Sequence, residues 1–148
     1  MLNGPFSPWP EFSQEEVAAV QEVLRSGKVN YWTGGEAQAF EKEFAEFAGT
    51  DYAIAVANGT VALELALVAL GIGPGDEVIV TPRTFVASAS SIALVGARPV
   101  FVDVDPESQN ITAASVKEAI TNSTRAILAV HLAGWPCEMD GLNALGQE

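Results

Sequence analysis

A chain of 148 residues is long enough for one compact domain with a sizeable core and too short for two typical ones. Hydrophobic residues make up 49% of it and charged residues 18%, which excludes an intrinsically disordered chain. Its 19 acidic against 7 basic residues give a net charge of −12, which argues against nucleic acid or an anionic membrane surface as a partner but leaves room for a local anion site. The single cysteine, Cys137, rules out an internal disulfide and a cysteine-rich zinc site, and fits a reducing compartment. Met1-Leu-Asn-Gly-Pro-Phe6 has neither the basic residue nor the apolar segment of a signal peptide, and no apolar run reaches membrane-spanning length. The expectation is a cytoplasmic protein with no membrane partner and no metal site.

In chain order, Ser13-Gln-Glu-Glu16 is a capping box that opens a helix running through Leu24 and stopping at Gly27, with Val17, Val20 and Leu24 at helical spacing. Lys28-Val-Asn-Tyr-Trp-Thr-Gly-Gly-Glu36 reads as an aromatic and glycine loop. A second helix follows, with Phe40, Phe44 and Phe47 on one face and Gly49 just past its end; the Phe stripe reads as core. From Tyr52 strands and helices alternate: strand 52–57 and helix 60–70, strand Glu77–Thr81 and helix 84–95, strand Pro99–Val102 and helix 112–120, then strand Arg125–His131. Continuous apolar strands alternating with helices predict an α/β fold, a parallel or mostly parallel sheet covered on both faces. The helix-like sequence from Gly141 to Glu148 has no closing turn, so the chain reads as cut in mid-fold.

Ligands in such a sheet sit outside the C-terminal ends of the strands, which here are Asn58-Gly59-Thr60, Thr81-Pro-Arg-Thr-Phe85, Asp103-Val-Asp105 and His131-Leu-Ala-Gly-Trp135. An abrupt strand-to-helix turn at Asn58-Gly59 leaves backbone N–H groups at the positive end of the helix dipole, where they can hold a phosphate. Gly59 allows a close approach to an anion and the Thr60 hydroxyl can donate to one; the same three residues also read as a simple turn and cap. Phe85 belongs near Thr60, either stacked on a flat heterocycle or packed in the core. Asp103 and Asp105 could bind a metal or polar ligand but read rather as turn and capping residues before Pro106, and His131 reads as a hydrogen-bonded structural residue rather than a general base. Gly71-Ile-Gly73-Pro-Gly75 imitates a phosphate loop but follows a helix and precedes a strand, the reverse of a dinucleotide fingerprint; Gly71 is a helix stop and Pro74-Gly75-Asp76 a turn.

Five segments together resemble the nucleotide-sugar aminotransferases of the DegT/DnrJ/StrS group. They are Asn58-Gly59-Thr60-Val-Ala-Leu-Glu-Leu-Ala-Leu67, Leu70-Gly-Ile-Gly-Pro-Gly-Asp-Glu-Val-Ile79, Thr84-Phe-Val-Ala-Ser88, Gly96-Ala-Arg-Pro-Val-Phe-Val-Asp-Val-Asp105 and Val130-His-Leu-Ala-Gly-Trp-Pro-Cys-Glu-Met-Asp140. The resemblance implies a fold-type-I enzyme using pyridoxal 5'-phosphate (PLP), with residues 1–50 an N-terminal helical segment and 51–148 the first part of the PLP-binding large domain. It implies that Gly59 and Thr60 hold the cofactor phosphate and Phe85 stacks on its ring. The family's Schiff-base lysine and pyridine-partner Asp match nothing here and would lie beyond Glu148. Lys28, Lys42 and Lys117 read as surface groups, so no catalytic residue is assigned within the chain. The implied reaction moves an amino group from glutamate or glutamine to a nucleotide-linked keto-sugar, in cell-surface polysaccharide (lipopolysaccharide) or antibiotic-sugar biosynthesis, in a homodimer. The alternatives are a sugar dehydratase of the same fold or a non-catalytic truncated remnant.

Overall fold

The computed structural model describes residues 9–147, so the N-terminal segment read for a targeting signal and the terminal Glu148 lie outside the described residues. The described chain falls into two units, one ending at Ala55 and the other beginning at Val56.

The first unit holds two helices. In α1 (Gln14–Ser26) the expected capping box is formed: Ser13 N donates to Glu16 Oε2 at 2.6 Å and Glu16 N to Ser13 Oγ at 3.2 Å. Gly27, at φ 69°, takes the left-handed cap that ends the helix. In α2 (Glu36–Ala48) only Ala45 is buried. The Phe stripe is therefore not core here. Phe40, Phe44 and Phe47 are exposed and stack on one another, with ring centroids 5.7 and 6.3 Å apart, because nothing among the described residues covers that face. The strand expected over 52–57 is also absent. Thr50 Oγ1 donates to the Tyr52 carbonyl at 3.0 Å and Ala55 N to Glu41 Oε1 at 2.8 Å, and residues 52–56 form no ladder. An apolar run is a strand only when a neighbouring strand accepts its hydrogen bonds, and none is present among the described residues.

The second unit runs α3 (Gly59–Ala69), β1 (Glu77–Val80), α4 (Ala87–Leu94), β2 (Arg98–Phe101), α5 (Ala113–Ala119), β3 (Thr124–Leu128), a 3-10 turn (Leu132–Gly134) and α6 (Met139–Leu145). The three strands are parallel in the order β2-β1-β3. Pro99, which has no N–H to give a ladder, sits on edge strand β2. All four residues of central β1 are buried, and alternation sends its side chains into two cores. Val78 and Val80 pack with Leu67 of α3 and Ile92 of α4, while Ile79 packs with Val116 of α5 and Leu142 of α6. Central β1 is thus covered on both faces, as an apolar strand requires.

Short connections fix the helix directions. α3 ends in a left-handed Gly71 at φ 72°, with Gly71 N on the Val68 carbonyl and Ile72 N on the Leu67 carbonyl, at 2.9 and 3.0 Å. Asp76 Oδ2 accepts from Gly73 N at 3.0 Å and closes the turn into β1. The expected helix stop and turn are both present.

Glu77 is the only charged side chain buried among the described residues, at 6% exposure. Its carboxylate takes the Arg98 guanidinium of β2 and, at 2.7 Å, the Thr121 hydroxyl that precedes β3. One group thereby ties all three strands at their N-terminal ends, and Asp76–Arg125 adds an ion pair at 3.4 Å. The Thr121 hydrogen bond first, then Arg98, holds the Glu77 carboxyl below its ordinary value of 4.5. A carboxyl depressed on folding contributes stability above the unfolded value and loses it as pH falls through the folded one. Glu77→Gln is therefore expected to lower the melting temperature at neutral pH, with the gap to wild type closing as pH drops below 4.5. Thermal melts across pH check this; an undiminished gap in acid would assign the loss to packing instead.

Candidate cofactor site

α3 opens on Asn58, whose extended backbone lets its Oδ1 accept from Val61 N at 3.0 Å while its carbonyl accepts from Ala62 N at 3.1 Å. Two donors of the first turn are left over. Among the described residues, nothing accepts from Gly59 N–H or Thr60 N–H, and the Thr60 hydroxyl has no partner. A Cβ built on Gly59 would meet nothing within 4 Å, so the space beside these donors is open.

The second segment follows β1. Thr81, buried at the strand end, accepts Arg83 N on its Oγ1 at 3.0 Å, and the Thr84 and Ser88 hydroxyls bond each other at 2.8 Å. These contacts shape the entry into α4, which starts at Ala87 rather than at residue 84, and leave Phe85 just ahead of the helix. Phe85 is 75% exposed, so among the described residues it is packed in neither core. α3 and α4 pack on each other, and α3 reaches β1 through a short turn at its C-terminal end. Its N-terminal turn is consequently directed toward the end of the sheet at which β1 finishes, the ligand end of an α/β sheet.

The remaining segments at that end are built as scaffolding. Asp105 Oδ1 accepts from Glu107 N and Ser108 N at 3.1 and 2.7 Å, which lowers its pKa and confirms a turn role; Asp103 Oδ1 accepts only from its neighbour Val104 N. β3 ends at Leu128, short of His131. His131 Nδ1 accepts from Cys137 N at 3.0 Å, so one nitrogen of this histidine has the expected structural hydrogen bond. The Cys137 thiol is buried and donates to the Val130 carbonyl at 3.2 Å, and burial pushes its pKa up, which disfavours the thiolate.

Asn110 was not anticipated. It is 2% exposed; its Oδ1 accepts from Leu132 N at 3.3 Å and its Nδ2 donates to the Trp135 carbonyl at 2.9 Å. The sequence does not signal this role, because partners 22 and 25 positions away leave no periodic pattern.

A profile of the DegT/DnrJ/EryC1/StrS aminotransferase family matches residues 10–148. The chain belongs to this family. The aminotransferase from Psychrobacter cryohalolentis is 60% identical, with a TM-score of 0.94, over 97% of this chain and 36% of that one. DesV from S. venezuelae, solved in complex with a ketimine intermediate, is 46% identical over 90% of this chain and 35% of its own, with a TM-score of 0.84. NtdA from Bacillus subtilis, solved with bound cofactor PMP, is 32% identical over 98% of this chain and 35% of its own, with a TM-score of 0.86. The chain spans about a third of the length of these structures. Its parallel sheet flanked by helices is the fold-type-I arrangement of the family. Among the described residues no helix is long and apolar enough to cross a membrane.

Because its ring is mostly in solvent, Phe85→Ala is expected to change unfolding free energy by no more than about 0.5 kcal/mol. Urea denaturation checks this, and a loss of several kcal/mol would return Phe85 to a packing role.

Proposed function

We propose that this chain forms the N-terminal, cofactor-binding part of a PLP-dependent aminotransferase, which transfers an amino group from glutamate or glutamine to a nucleotide-linked keto-sugar. One observation carries the reading: in a member of this family, two backbone N–H groups and a hydroxyl at Gly59-Thr60 are unengaged, and the adjoining helix is preceded by a largely exposed Phe85. Gly59 N–H, Thr60 N–H and Thr60 Oγ1 would hold the PLP phosphate, with the α3 dipole adding to the attraction. The open space at Gly59 suits a close backbone approach. Phe85 would lie against the pyridine face and keep water from it. When bound, PLP supplies an electron sink for charge developing at the amino-bearing carbon. This chain's share of the work is to bind and orient that group. Its lysines are exposed, Lys28 in the loop after α1, Lys42 on α2 and Lys117 on α5, and none is assigned to the chemistry.

The reading extends to a cytoplasmic homodimer making sugars for cell-surface polysaccharides (lipopolysaccharide) or antibiotics. Trp32, 89% exposed in the loop between α1 and α2, is an apolar group suited to a subunit contact.

In the full-length enzyme Thr60→Val should weaken PLP binding by roughly 1–3 kcal/mol, the loss of a charge-assisted hydrogen bond. A fluorescence titration with unchanged affinity would remove the Thr60 hydroxyl from the site. The 148-residue chain alone is expected to show no turnover, and borohydride reduction with PLP should label its surface lysines only in scattered, substoichiometric amounts. Stoichiometric labelling of one lysine by mass spectrometry, with turnover, would overturn both the expectation and the site assignment.

A further inference from the structure

The loop from His131 to Trp135 follows β3 at the ligand end of the sheet, and it is held in a shape that its own sequence would not choose. Ala133 sits at φ 52° and Gly134 at φ 83°, so a non-glycine residue is kept in the left-handed region. The restraint is external. Buried Asn110 grips the loop at both ends, accepting from Leu132 N and donating to the Trp135 carbonyl, so its donor and its acceptor are both used. A third contact fixes His131: its Nδ1 accepts from Cys137 N, which puts the proton of the neutral imidazole on Nε2 as a donor. The loop is thus rigid, yet what it presents is exposed, the His131 imidazole edge and a Trp135 ring that is 64% in solvent. An exposed indole and an exposed imidazole N–H donor carried on one restrained loop suit a hydroxylated ring, which offers an apolar face and oxygen acceptors together.

We propose that the His131–Trp135 loop is a wall for the amino-acceptor substrate, with Trp135 stacking on its sugar ring, His131 Nε2–H donating to a sugar oxygen, and Asn110 acting as the positioning residue that holds the loop. This rests on the aminotransferase reading above and adds to it a contact surface for the acceptor, as distinct from the cofactor or the donor.

The test uses the full-length enzyme and two readouts. The donor half-reaction is followed as the PLP absorbance change on adding L-glutamate. Acceptor binding is measured by calorimetric titration with UDP-, dTDP- and GDP-linked glucose as unreactive probes. Wild type should bind at least one probe. Trp135→Ala should weaken that Kd roughly tenfold, the size of one aromatic stacking contact, and leave the glutamate half-reaction within about twofold. Asn110→Ala should weaken it at least as much, and the double variant should be no worse than Asn110→Ala alone, because Asn110 acts through the loop that carries Trp135. The proposal is overturned if no probe binds, if the single effects add, if both readouts fall together, or if Trp135→Ala instead dissociates the subunits. Failure of the aminotransferase reading is separately visible, as a wild-type protein that shows no absorbance change with glutamate while the sugar titration still reports on the loop.

Discussion

The second unit depends on the burial of a single short strand. β1 contributes Val78 and Val80 to one core and Ile79 to the other, and every residue in it is buried. A strand enclosed on both faces and paired on both edges has nowhere to send a charge, yet its first residue is Glu77. That carboxylate is stabilised by being hydrogen-bonded on both sides, to Arg98 from one neighbouring strand and to the Thr121 hydroxyl beside the other. The polar brace therefore lies at the N-terminal end of the sheet. Among the described residues the opposite end has no such brace, and there the chain leaves each strand through a turn.

Those turns divide the labour. The Asp103–Asp105 turn and the loop held by Asn110 are braced by side-chain bonds to their main chain, which makes them rigid. The start of α3 does the opposite. Asn58 satisfies Val61 and Ala62, while Gly59, Thr60 and the Thr60 hydroxyl keep free donors. Unspent donors at a helix N-terminus are an electrostatic resource for an anion, and they are available because the neighbouring segments need none of them. The exposed ring of Phe85 follows the same logic, since α4 is anchored by Ala87, Ser91 and Ile92 and has no use for it.

The exposed apolar faces of α1 and α2 form a different pattern. Val17, Val20 and Leu24 keep helical spacing, as do the three phenylalanines, and the caps at Ser13, Gly27 and Gly49 set the helix ends whether or not those faces are covered. Caps act within one turn of the chain; burial needs a partner. The amphipathic stripe therefore identified the helices correctly and said nothing of what they pack against.

The sequence by itself determined whatever depends on neighbours within a few residues. It set the capping box of α1, the glycine stops at Gly27, Gly49 and Gly71, the turn at Asp76, the alternation of apolar strands with helices, and the motif run that placed the chain in its family. It marked the Gly59-Thr60 turn as open to an anion without choosing between a site and a plain cap. Tertiary structure decided what depends on residues far apart. The apolar run at 52–57 is no strand because a ladder needs a second chain segment; the Phe stripe is no core because a core needs a facing surface. Phe85 left the core for solvent once α4 was anchored elsewhere. Glu77 met a hydroxyl 44 positions away and Asn110 a carbonyl 25 positions away, and no local pattern announces such pairs. Their energies come from groups that only a closed sheet brings within hydrogen-bonding range.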